Sequence, residues 1–218
     1  MSRLLLRIPM LLLSLGSLYL LGRLLWPWSS ISDLPLNGAT GYDPAVLLIF
    51  YTVMILWLGG NRHEEVKKSL AIATVLGLPA AGLLGGQVLY AAHLAESGSI
   101  PLLQTRLMML GAAILWGIAA IFGARLATGG IGLLSSMWSA MVSGLVASTV
   151  ILGAWTVNGP IQTAQDAWSQ YQGLAVGNSS TQALVNMLNQ VTFFLLIGPL
   201  AGCVVGLFFS ATVPKKKL

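Results

Sequence analysis

Residues 131–157 read IGLLSSMWSAMVSGLVASTVILGAWTV, a run without a charged side chain in which serine, glycine and alanine are spread among leucine, isoleucine, valine and tryptophan. A helix needs about 20 mainly apolar residues to cross the roughly 30 Å hydrocarbon core of a bilayer, and this run exceeds that length. Five further stretches exceed or approach it, at 4–28, 44–60, 69–95, 107–124 and 188–213. All are continuously apolar, whereas the strands of a membrane β-barrel alternate apolar and polar residues over about ten positions, so a barrel is excluded.

Composition leads to the same class. Of 218 residues, 56% are hydrophobic and 8% charged, against about 25% charged in a soluble domain. Eleven Lys/Arg and six Asp/Glu are too few to solvate a globule of this size, so most of the surface faces lipid or other protein. The expected architecture is an all-α integral membrane protein, a bundle of six transmembrane helices forming a single domain over 1–218. In a soluble protein a net charge of +5 would point to nucleic acid. Here the cations are dispersed at helix ends without interleaved aromatics, so membrane lipids and not nucleic acid are the expected partners.

Arg3 and Arg7 precede an apolar stretch from Ile8 to Gly22, which also describes a secretory signal. No Ala-x-Ala type cleavage site follows, and the segment reads as an uncleaved span. With the N-terminus in the cytoplasm, nine cations lie inside (Arg3, Arg7, Arg62, Lys67, Lys68, Arg125 and Lys215 to Lys217) and two, Arg23 and Arg106, outside. The positive-inside rule therefore places both termini in the cytoplasm, with the bacterial inner membrane as the expected location. The connections 27–43 and 158–187 contain no Lys or Arg and fall outside.

Chemistry-bearing groups are sparse. Cys203 is the single cysteine, so an intrachain disulfide and a cysteine metal cluster are excluded. Asp33, Asp43, Glu96 and Asp166 belong to the outer side and Glu64 and Glu65 to the inner loop, which leaves no carboxylate in the hydrocarbon to couple protons or sodium. His63 and His93 are thirty residues apart, about 45 Å along a helix, too far to ligate one haem. Hydrolase, zinc-protease and phosphate-loop motifs are missing. No catalytic residue, metal site or cofactor is assigned, and an enzyme is the least favoured reading.

The third and last spans share an element. Pro79 to Gly86 (PAAGLLGG) and Pro199 to Gly206 (PLAGCVVG) both fit Pro-x-Ala-Gly-x-x-x-Gly. At matching places in two groups of three spans they would mark a 3+3 inverted repeat with a central site. The alternative is packing alone, since glycines four apart let helices approach closely in lipid: Gly82 with Gly86, and Gly198 with Gly202 and Gly206. Each proline also frees a carbonyl one turn back, at Val75 and Leu195, that a neighbouring helix, a water or a ligand must satisfy.

In the fifth span Ser135, Ser139 and Ser143 recur every four residues, a small face that serves either as a helix contact or as a serine-lined path. In the last outer connection Ile161, Ala164, Trp168 and Tyr171 form one apolar face of a short interfacial helix. Ser179 and Gln182 fit a capping box that starts the last helix near Ser180. Asn186, Asn189 and Gln190 then lie near the outer surface, either solvated or lining a pocket with Gln87 and His93 beneath Trp168 and Tyr171. Two functions remain open: transport or transport-associated handling of a neutral, weakly polar or lipid-like solute without a buried carboxylate, or an accessory subunit whose small-residue faces meet a second copy or a partner membrane subunit. The orientation is testable: in a Cys203→Ser background, Ser169→Cys is expected to react with an impermeant maleimide from the outer side only. Labelling from the cytoplasmic side alone would invert the topology.

Overall fold

The computed structural model describes residues 3–26, 39–58, 63–96, 101–126, 128–158 and 180–213. Among them there are six helices and no strand: α1 (Arg3–Leu25), α2 (Ala39–Leu58), α3 (Glu64–Glu96), α4 (Pro101–Leu126), α5 (Gly129–Asn158) and α6 (Ser180–Ala211). Five are long and apolar enough to cross a membrane. The exception is α2, whose apolar part, Asp43–Leu58, rises about 24 Å, short of a 30 Å hydrocarbon core. The segment with Trp168 and Tyr171 lies outside the described residues.

Helix starts follow local chemistry. The His63 carbonyl accepts the Lys67 N–H at 3.2 Å, and Glu64 and Glu65 occupy the first turn of α3, where the helix dipole favours negative charge. Glu64 is also paired with Lys67. Thr128 opens α5, its carbonyl accepting from the N–H groups of Ile131 and Gly132 at 3.0 and 3.1 Å. α6 begins at Ser180, next to the Ser179 to Gln182 pattern.

The centre of the bundle is α5. Helices α3, α4 and α6 pack along it and α1 against part of it, while α2 closes the ring between α1 and α6. What lets four helices reach one is the absence of bulk on α5 and on the faces turned toward it. Along α6, a Cβ at Gly198 would lie 3.1 Å from the Ala140 carbonyl oxygen, one at Gly202 2.6 Å from the Ala140 Cβ, and one at Gly206 2.9 Å from the Ser136 Cβ. Gly144 of α5 answers in the other direction, 2.6 Å from the Phe194 carbonyl oxygen. This is the close, small-residue packing that association in lipid depends on.

On α3 the close approach runs in a different register from Gly82 and Gly86. A Cβ at either would meet nothing within 4 Å, whereas one at Gly77 would lie 2.8 Å from the Ser139 carbonyl oxygen. Gly77, Ala81 and Gly85 also repeat every four residues, and Ala81 is buried. The face turned to α5 thus starts five residues before Gly82, and Pro79 is exposed beside it. α3 and α6 share no extensive contact, because α5 lies between them.

The second proline is answered directly. Tyr51 of α2 is buried, and its hydroxyl donates to the Leu195 carbonyl at 2.9 Å, the group that Pro199 leaves without an intrahelical donor. Other polar links tie the remaining helices. Ser14 reaches the Leu48 carbonyl and the Thr52 hydroxyl at 3.1 and 2.8 Å, and Ser17 meets Thr149 at 2.7 Å. Trp138 donates to Thr74 at 2.9 Å, and Ser69 and Ser135 share a hydrogen bond between α3 and α5.

Two mutational contrasts follow. Gly202→Leu forces a side chain onto Ala140 and is expected to destabilise by roughly 1–3 kcal/mol or more, whereas Gly82→Ala removes a flexible helix residue at an open position and is expected to be neutral or stabilising by up to about 1 kcal/mol. Thermal unfolding in detergent that ranks them in the opposite order would contradict the packing register. Tyr51→Phe leaves the Leu195 carbonyl without its donor and is expected to cost roughly 0.6–2 kcal/mol; unchanged stability would mean another group takes over.

Candidate ligand groove between α4 and α6

α4 and α6 run in the same direction and touch at one end, where a Cβ at Gly117 would lie 2.9 Å from the Phe209 ring. Toward the α3–α4 connection they part. The gap is a cavity of about 390 Å³, within the roughly 300–1,000 Å³ of small-molecule sites. α4 lines it with Arg106, Met109, Leu110, Ala113 and Trp116, α6 with Phe193, Phe194, Ile197, Gly198 and Ala201, and α3 supplies Leu84. Spacings of three and four residues put each set on one helical face.

Trp116 anchors the floor. It is buried, and its indole N–H donates to the Ser143 hydroxyl at 3.2 Å, while Ser143 donates to the Ala140 carbonyl at 2.9 Å. Gly198 closes the same level by bringing α6 onto Ala140. The flanks are open: Leu110, Phe193 and Ile197 are exposed, so the cavity is a groove facing the lipid side of the bundle. Apart from Arg106 at one end, every lining side chain is apolar.

The residues expected at an outward pocket are distributed around this end. Gln87 lies one turn beyond Leu84 on the same face of α3, is 2% exposed and has no hydrogen-bond partner for either amide atom among the described residues. Gln190, half-buried, and Asn186, buried, continue the α6 face that carries Phe193, Phe194 and Ile197. Asn189, one turn before Phe193, is exposed. His93 falls on α3, but its side chain, like all of Trp168 and Tyr171, lies outside the described residues. Neither Gln87 nor an α6 amide lines the groove itself.

The serines of α5 are interior. Ser139 and Ser143 are fully buried, as are Ser135, Ser136 and Ser148. Ser143 and Ser135 are hydrogen-bonded, the latter also to the Ile131 carbonyl at 2.7 Å; the hydroxyls of Ser136, Ser139 and Ser148 have no partner among the described residues. A second, much smaller space of about 10 Å³ sits among Met10, Tyr51, Ile55, Trp138, Met141, Val142 and Leu145. That is barely a water's room, and its apolar lining offers a water no partner. Among the described residues no three His, Cys, Asp or Glu side chains converge as metal ligands would. Cys203 is a half-buried free thiol on α6.

In the sequence alone Arg106 stands out only as a topology cation, and Met109, Leu110 and Ala113 do not stand out at all. The signal was present, since Arg106, Met109, Leu110 and Ala113 follow one helical face from a charge into small and apolar residues.

By length and composition, the helices are those of a multi-pass integral membrane protein. Set against family models, curated proteins and solved structures, the chain finds no match.

Proposed function

We propose that this protein holds a lipid-like amphiphile in the α4–α6 groove, as a transport-associated or accessory component of its membrane. The observation that carries this reading is the groove itself: about 390 Å³ of apolar space that opens sideways between two helices instead of inward to a central chamber. Such a space suits a hydrocarbon chain that enters from the leaflet without crossing water. An alternating-access carrier of two inverted repeats would need α3 and α6 to meet at a central site, and the position of α5 between them weighs against that form of transport. The absence of Asp or Glu from the apolar interior of the helices argues against coupling through a buried carboxylate.

In this reading α2 completes six crossings, both termini lie on the cation-rich cytoplasmic side, and the membrane is the bacterial cytoplasmic one. The glycine face of α6 is spent against α5, whereas Gly82 and Gly86 of α3 stand open, so a further subunit would meet the lipid-facing surface of the bundle.

Filling the groove tests the reading. Purified protein is expected to retain about one lipid per chain by native mass spectrometry, and Ala113→Trp or Ala201→Phe is expected to lose it while keeping the wild-type unfolding temperature. Retention equal to wild type in both variants, at equal stability, would remove the groove as the binding site.

A further inference from the structure

Resting on the groove as an amphiphile site, we infer that its occupant is a phospholipid of the leaflet on the α3–α4 side, with its phosphate held by Arg106. Arg106 lines the end of the cavity, is exposed, and pairs with no carboxylate among the described residues. A guanidinium is the side chain whose planar fork fits phosphate oxygens in pairs.

Its depth fits that role. Arg106 and Arg125 stand near the two ends of α4, and their separation is about 28 Å along the helix, close to the roughly 30 Å of hydrocarbon. Arg106 therefore sits at one hydrocarbon boundary, within snorkelling reach of the phosphate plane. Below it the lining turns wholly apolar for the length from Met109 to Ala201, the sequence of environments that a phosphate ester followed by an acyl chain presents. Charge at the mouth and hydrocarbon beneath together exclude the simpler occupants. A neutral alkane would leave the cation unmatched, and a soluble anion would leave the apolar groove unfilled.

The test uses the full chain, delipidated in detergent and titrated with single lipids, with bound lipid counted by native mass spectrometry. Phosphatidylglycerol is expected to bind one per chain at least about tenfold more tightly than diacylglycerol of the same acyl chains, the scale of one charge-assisted hydrogen bond. Arg106→Gln is expected to abolish that preference, bringing phosphatidylglycerol binding to the level of diacylglycerol in the same variant, and Arg106→Lys to keep part of it. Ala113→Trp is expected to lose both lipids. Equal binding of the two lipids by wild type, or an unchanged preference in Arg106→Gln, overturns the phosphate assignment and leaves the groove standing, provided Ala113→Trp still loses them. Loss of neither lipid in Ala113→Trp overturns the groove as well. Displacement of phosphatidylglycerol by millimolar inorganic phosphate would mean that Arg106 serves a soluble anion, which also overturns the proposal.

Discussion

The structure depends on how near other backbones can come to α5. Lipid tails are as apolar as leucine, so burial of hydrocarbon does little to draw helices together in a membrane, and contact must come from close fit and from polar links. α5 supplies both. Its small residues let the Phe194 and Ala120 carbonyls approach Gly144 and Gly132, and its serines and threonine meet partners on α1, α3 and α4. A bulky residue at any of these positions would push a whole helix away, which is why so much of the arrangement hangs on side chains that are hardly there.

One polar link is placed where a helix would otherwise leave a backbone group unmade. In lipid an orphaned carbonyl finds no water, and Pro199 creates one at Leu195. Tyr51 resolves it from a helix that touches α6 only along part of its length. The shortest helix of the six therefore has a specific task, and its high burial at Leu48, Tyr51 and Ile55 reflects that.

Helix number and approximate limits were legible in the sequence because length and continuous apolarity decide them. The packing faces were legible on α6, where Gly198, Gly202 and Gly206 have α5 against them, but not on α3. There two registers of small residues compete one position apart, Gly82 with Gly86 and Gly77 with Ala81 and Gly85, and the local pattern does not say which faces a partner. Which helix lies between α3 and α6 is a property of the whole bundle, and the shared proline-glycine element carries no information about it. The groove was hidden for a related reason. A cavity is defined by what two helices fail to fill, and Ala113 and Ala201 look in sequence like any other small residue of a span.

The close contact of Gly117 with Phe209, below the groove, has a mechanical side. Gly117 stands against Phe209, and Arg106 lies eleven residues away along α4, so for any tilt about that contact the lever arm is about 16 Å. A tilt of about 5° at the pivot would displace the far end by about 1.4 Å, on the scale of a methyl group's radius, with the hydrogen bond of Trp116 to Ser143 lying next to the fulcrum and moving least. Tilting is one way a helix accommodates the thickness of its bilayer, and a tilt of α4 against α6 would be felt first in the width of the opening.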